Sequence, residues 1–515
     1  MNGAMDRRHL LRLGGAMSAL GVGAPFAMQL AAAGSAAGQS VSDYKALVCV
    51  FLFGGNDSHN MILATDTDSW GRYFATRNTG SDPIALMPVG AAPTPVGQTS
   101  STTGRVAAAN TPEAWGGVLA IAPKTVQAIP AGTNASSRTF ALHPFLSPMQ
   151  SLYNQGRLAV LANVGTLIQP TTKTQYQSRS VPLPTSLFSH NDQQSTWQAL
   201  STEGARTGWG GRFADLVAGM NGGNTLFTAI STAGNAVFLS GQSIVQYQLS
   251  TGAQPAVVIN GQQGSTLFGS ALAPSRVRDL ITDTNLTNNF AADYSTVVAR
   301  SISASVTVNS AFTQGIVTGI PAAPAYTNPI SGQVEGNSLA LQLQTVARMI
   351  AAAPGLGVRR QVFFVSLGGW DTHDFQNNTQ PNLLAKVAHA FSYFDGALSN
   401  VGGLDRRAQV TTFTASDFSR TITTNGDGTD HAWGGHHFIM GGAVKGQDIY
   451  GQYPTVGPDV GGFNNPDNIN GYLIPTTSVD QYGATLGRWF GASESELDII
   501  FPRLAGFQNR NLGFL

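Results

Sequence analysis

Five short runs of this chain are apolar or β-branched at consecutive positions, and each is closed by glycine or polar residues: Ala46 to Phe53, Leu158 to Val164, Gln361 to Leu367, Gln409 to Ala415 and His437 to Met440. A strand without regular polar alternation is one that is covered on both faces. Helical patterns lie between several of these runs. Leu339, Leu343, Val346, Met349 and Ile350 share one face of a helix ending near Gly355, and Leu383, Leu384, Val387, Phe391, Phe394 and Leu398 do the same before Gly402. Strands alternating with helices predict the α/β class, with a mostly parallel central sheet and helices on both of its faces, a three-layer α/β/α sandwich. A last helix is entered at Thr477-Ser478-Val479-Asp480 and turns Tyr482, Leu486, Trp489 and Phe490 inward. The stretch of about 222–333 breaks the rhythm, with strand-like pieces (Thr225 to Leu239, Ala256 to Ile259) before helical ones, and reads as an insertion or cap on the same domain.

The chain carries 28 basic and 28 acidic residues and only 11% charged positions, so nothing in its overall charge calls for nucleic acid or an anionic membrane as partner. Cys49 is the only cysteine. A disulfide framework and a thiolate metal cage are therefore excluded, and any metal must be held by oxygen and imidazole.

Asp6-Arg7-Arg8-His9-Leu10-Leu11-Arg12 stands ahead of a mildly apolar stretch, Leu13 to Ala33, and Ser35-Ala36-Ala37 offers small residues for cleavage. Residues 1–37 read as a signal peptide, with 38–515 as the mature domain. The paired arginines resemble the twin-arginine signal, which implies export of a folded protein to the periplasm or beyond. A transmembrane anchor is the competing reading, but the stretch is Gly/Ala-rich and broken by Pro25, and no later run is long and apolar enough to span.

In an open α/β sheet, ligands bind beyond the carboxyl ends of the strands. Polar clusters fall at those ends here. Gly54-Gly55-Asn56-Asp57-Ser58-His59 follows the first strand, Gly368-Gly369-Trp370-Asp371-Thr372-His373-Asp374 the third, and Ser416-Asp417-Phe418-Ser419-Arg420 the fourth. The loop Asn425 to His437 leads into the fifth. Of nine histidines, six (His59, His190, His373, His431, His436, His437) lie in these clusters or in the segment Phe188 to Trp197. Carboxylates and imidazoles from separate loops suit a catalytic zinc, manganese or calcium ion. The bland alternative is loop capping by Asp57 and Asp371 and hydrogen-bonding histidines in Gly-rich turns. The loop Asn425 to Asp430 has oxygen side chains at alternate positions but lacks the EF-hand's closing glutamate, His436 standing there instead. Ser189, at the expected start of a helix, reads as nucleophile or as plain N-cap.

On these residues the chain resembles the domain of unknown function 1501 family: the leader, Phe53-Gly54-Gly55-Asn56-Asp57, Phe188-Ser189-His190-Asn191-Asp192-Gln193, Gly368-Gly369-Trp370-Asp371-Thr372-His373, and Gly428 to His437 in that order. The family is in turn similar to the alkaline phosphatase and sulfatase superfamily. That similarity implies an alkaline phosphatase-like fold, two metals, and a nucleophile at a helix start that accepts a phosphoryl or sulfuryl group. Carried over, Asp57 becomes a metal-bridging carboxylate and Ser189 the nucleophile. Asp371 and His373 hold one metal and Asp417 the other, completed by His431 or His436. Three departures stand out. Asp371 and His373 are closer in sequence than the superfamily's pair, Phe418 stands where a histidine ligand would follow Asp417, and no sulfatase Cys/Ser-x-Pro-x-Arg signal surrounds Ser189. One metal, or a relic site with none, is then the alternative to a full pair, and His190 becomes a general base or a replacement ligand. The expectation is an exported, metal-dependent hydrolase of phosphate or sulfate esters, small or polymeric, with Arg420 or a helix amino terminus neutralising the ester oxygens. The rival is a non-catalytic binding or assembly protein acting with a cell-envelope partner, its rim closed by Trp370 and Trp433.

Overall fold

The structure, a computed structural model, describes residues 43–515 except 131–132, 223–224, 253–254, 257–265, 460 and 462. The leader expected over 1–37 lies outside the described residues, as does most of the strand-like piece Ala256 to Ile259.

Nine strands form the main sheet: β1 (Lys45–Phe53), β2 (Leu158–Gly165), β3 (Ala229–Ser231), β4 (Tyr247–Gln248), β5 (Arg360–Gly368), β6 (Val410–Ser416), β7 (Gly435–Met440), β8 (Ile449–Tyr450) and β9 (Thr477–Ser478). Their spatial order is β8-β2-β7-β6-β1-β5-β3-β4, with β9 also paired to β2. All five expected strands are present, within two residues of their expected ends. The sheet is parallel except for β7, which runs against both of its neighbours, β6 and β2. Within the stretch of 222–333, β3 and β4 extend the same sheet beyond β5.

The continuous apolar character of β1 has a direct cause. Ala46, Val48, Val50 and Leu52 point into one buried core, and Leu47, Cys49 and Phe51 into another on the opposite face. Into the first core pack helices α2 (Ser147–Asn154), α5 (Asn289–Phe312), α6 (Ser338–Leu356) and α7 (Gln376–Leu398). Into the second pack α4 (Trp209–Val217), α8 (Val479–Phe490) and α9 (Glu494–Ile500). Ser478 and Gln481 form a reciprocal capping box that starts α8, and Gly357 in the left-handed region ends α6. Two further helices matter below: α1 (Thr67–Arg77) and α3 (His190–Ala199). No described helix is long and apolar enough to cross a membrane.

Candidate metal centre

The three central strands, β6, β1 and β5, are parallel and end side by side, with Leu52 opposite Ser416 and Phe53 opposite Gly368. The chain leaves β1 through Gly54 at φ +119°, where an added Cβ would lie 2.8 Å from the Trp370 carbonyl carbon. Glycine alone lets the loops after β1 and β5 cross this closely. Asp371 and Asp417 stand just past that crossing. The amino terminus of α3 adds His190, and the loop entering β7 adds His431.

Each of three imidazoles has its Nδ1 held by an oxygen acceptor. His190 Nδ1 lies 2.7 Å from Asp417 Oδ2, His373 Nδ1 lies 3.2 Å from Asp430 Oδ1, and His431 Nδ1 lies 2.8 Å from the Phe188 carbonyl oxygen. Carboxylates and carbonyls only accept, so each Nδ1 carries the hydrogen and donates it. The Nε2 atoms are left to converge on one carboxylate. They lie 3.5 Å (His190), 3.4 Å (His373) and 3.5 Å (His431) from the oxygens of Asp371. His373 Nε2 and His431 Nε2 are 2.9 Å apart, and the buried His190 Nε2 has no hydrogen-bond partner among the described residues. Ligands about 2.1 Å from a tetrahedral zinc ion lie roughly 3.4 Å from one another; the ligand atoms of His190, Asp371 and His431 all lie within 4.8 Å of one another, close enough to share one cation, and His373 adjoins this trio through Asp371 and His431. Histidines anchored by the second ring nitrogen are the arrangement metal ligation requires.

Asp371 is positioned by Arg420, whose guanidinium donates to Asp371 Oδ1 and also to the carbonyls of Gly54, Gly55 and Thr429. Burial pushes the Asp371 carboxyl up, but the Arg420 hydrogen bond and charge outweigh it and hold the group below the usual carboxylate range. The Asp417 hydrogen bond raises the His190 imidazole above its ordinary value, against burial. Burial lowers His431, with the Phe188 carbonyl opposing. The Asp371 side chain keeps 48% of its exposure, so the cluster opens to solvent. Phe418 does not close it. Its ring packs beside His190 and His431, with centroids 4.9 and 4.5 Å away.

The expected residues thus separate into groups. His190, Asp371, His373 and His431 come together. Asp417 stands one step behind, its oxygens taken by His190, by Gln194 Nε2 at 2.8 Å and by the Gly54 N–H. Arg420 is buried with its donors turned to backbone and Asp371, which makes it a positioning residue in place of the expected contact with ester oxygens. Ser189 is the N-cap of α3, its Oγ accepting from the Asp192 N–H. Asp57 is not in the cluster: Arg77 takes both of its oxygens at 2.5 and 3.0 Å, and Gln376 donates to one at 2.6 Å. A carboxylate saturated in this way has no lone pair turned toward the cluster. His436 also stands apart, buried, its Nδ1 accepting from the Asn163 N–H and its ring stacked on Tyr453. Trp370 and Trp433 are buried and close no rim.

Arg77, Gln194 and Gln376 escaped sequence reasoning because nothing in their own segments marks them as partners of a distant carboxylate. Asp430 had a signal, its place next to His431 at the exit of a glycine turn.

A family model described as a protein of unknown function, DUF1501, matches residues 44–500. No curated protein matches the chain. Two solved structures, of Ps i-CgsB alone and in complex with k-i-k-neocarrahexaose, share 11% and 9% identity with it; 71% of each chain is covered and the TM-score is 0.28 for both. A likeness that slight carries no argument about the fold or the site.

Proposed function

The chain belongs to the DUF1501 family, and we propose that this member is an exported, metal-dependent hydrolase of phosphate or sulfate esters on a three-layer, alkaline phosphatase-like fold. The observation that carries the reading is the convergence of three Nε2 atoms on Asp371 at 3.4–3.5 Å, each imidazole oriented through its Nδ1. His190, Asp371 and His431 would hold one divalent ion, zinc, manganese or calcium, with His373 adjoining through His431 and zinc favoured by the imidazoles. When bound, such an ion supplies Lewis acidity to polarise an ester oxygen and to make a hydroxyl or water more acidic. The remaining work falls to the chain. Asp417, Asp430 and the Phe188 carbonyl hold the imidazoles in one tautomer, and Arg420 keeps Asp371 ionised and aimed. Ser189, the N-cap of α3 and the residue before His190, would supply the attacking hydroxyl on this reading, with the first turn of the helix favouring the ester oxygens. Twin-arginine export rests on Asp6 to Arg12 and the small residues 35–37.

The test is metal analysis of the protein isolated from the periplasm, beside Asp371→Ala and His431→Ala, followed by assay of aryl phosphates and sulfates. One equivalent of metal in the wild type, lost in both variants together with turnover, supports the proposal. A wild type without metal sinks it. Bound metal without turnover of any ester favours the non-catalytic envelope protein.

A further inference from the structure

A cavity of about 570 Å³ opens beside this centre, lined by Tyr176, Gln177, Arg179, Ser186 and Phe188 among others. Phe188 belongs to both places. Its carbonyl accepts from His431 Nδ1 at 2.8 Å, while its ring, 37% exposed, faces the cavity and packs on Tyr472 with centroids 5.0 Å apart. Tyr472 in turn meets Tyr176, hydroxyl to hydroxyl at 2.9 Å. The result is a wall of aromatic faces running away from the metal cluster.

Arg179 stands on that wall. It ends the helix Lys173–Ser178 in the left-handed region at φ +50°, which a non-glycine residue seldom adopts. Ser186, across the loop, is held at φ +51°. Every other basic side chain close in sequence has an acceptor: Lys173 is held by Asp459, Asn464 and the Asn465 carbonyl. Among the described residues, no carboxylate or carbonyl takes the Arg179 guanidinium. An exposed guanidinium free of protein acceptors and two aromatic rings, Tyr176 and Phe188, lining a space of this size suit a planar or cyclic group bearing an anionic substituent.

We propose that this cavity is the subsite for the part of the substrate remote from the reacting ester, and that Arg179 selects esters carrying a second negative charge there. The inference rests on the ester-hydrolase reading. It adds the substrate class: a doubly anionic ring ester, with one charge at the metal cluster and the other at Arg179. Ring stacking on Phe188 and Tyr176 sets the distance between them.

Binding separates the two claims. The probes are phenyl phosphate and 4-carboxyphenyl phosphate, titrated calorimetrically into the zinc-loaded protein and into Arg179→Gln and Arg179→Lys. The wild type binds the carboxylated ester about tenfold more tightly than the plain one, Arg179→Gln loses that margin, and Arg179→Lys keeps part of it. Metal content stays at the wild-type level in both variants, since Arg179 touches no ligand. Equal affinity for the two probes in the wild type, or a margin that survives Arg179→Gln, overturns the subsite. A margin that depends on Arg179 with neither ester cleaved supports the subsite while refuting the hydrolase. Cleavage of both esters without the margin does the reverse.

Discussion

The Nε2 atoms of His373 and His431 stand 2.9 Å apart with both Nδ1 hydrogens already donated elsewhere. Two lone pairs so placed repel unless a proton or a cation lies between them. A ligand that binds only the folded state stabilises it by about 4 kcal/mol at a thousand times its dissociation constant. Zinc should therefore raise the thermal midpoint of the purified protein, and a chelator should lower it again. His431→Ala should abolish the response in scanning calorimetry. A midpoint unmoved by zinc, manganese and calcium alike would falsify the metal centre.

Asp417 acts through His190. Its Oδ2 accepts from Nδ1 at 2.7 Å and so turns Nε2 toward Asp371. Removing such an outer carboxylate typically lowers metal affinity about 10- to 100-fold. Asp417→Ala should show that loss in competition with a chromophoric chelator. Asp417→Asn should show part of that loss, since the amide NH2 meets a donor either way it turns: the Gly54 N–H at the Oδ1 position, or His190 Nδ1 and Gln194 Nε2 at the Oδ2 position. Wild-type affinity in both variants would mean that His190 is not a ligand.

Asp57 invites the opposite prediction. It and Arg77 are both fully buried, joined at 2.5 and 3.0 Å, and burial of the carboxyl is outweighed by the Arg77 charge, which keeps it ionised. Removing one member of a buried pair strands the other charge and costs about 3–5 kcal/mol. Asp57→Ala should lower stability on that scale in urea titrations, while the folded fraction still binds metal. Loss of metal at unchanged stability would return Asp57 to the metal site.

The contrast between Asp57 and Asp371 shows what was legible in the sequence. The strands could be read because burial on both faces leaves a continuous apolar run, as in β1 and β2. The reversed direction of β7 could not, because hydrophobic pattern carries no information on strand polarity. Nor could β4, β8 and β9, which at two residues are shorter than any periodicity, whereas β3 lies inside the strand-like piece Thr225 to Leu239. The clusters at the strand ends were visible as composition, and four of the nine expected site residues meet there. Which carboxylate faces the cluster depends on Arg77, brought from α1 to Asp57, and on Arg420, brought to Asp371. Pairings of that range leave no trace in local spacing.

Buried histidines set the response to acid. Burial lowers His59, His143 and His437 from 6.5 to about 3, and His436 lies well below its ordinary value for the same reason. Between about pH 6.5 and 3 the unfolded chain binds the extra protons, so stability falls as pH falls through that window. Asp480, raised to about 6 by burial, works the other way: the folded state takes up its proton first and gains stability as pH drops through 6. Asp82 and Asp395, raised by burial, act with Asp480, while Asp57 and Asp371, held low by arginines, act with the histidines, and the sign stays with the four buried imidazoles. Urea midpoints should decline steeply from pH 6.5 toward 4.5. A flat profile would show that these histidines gain protons without unfolding.

Gly54 is the last test of how the site is held. A side chain there meets two separate penalties, the backbone at φ +119° and the loop carrying Trp370 and Asp371, whose atoms a Cβ would overlap. Gly90, at φ +81° with open space around the same position, carries the first penalty alone. Strained backbone costs about 1–3 kcal/mol, so Gly90→Ala should lose that much stability and nothing of the metal site. Gly54→Ala should lose more, and its metal affinity should fall as well, because the loop can give way only by moving Asp371 off the three imidazoles. Equal stability losses in the two variants, with metal binding intact in both, would mean that the crossing of the loops after β1 and β5 does not position Asp371.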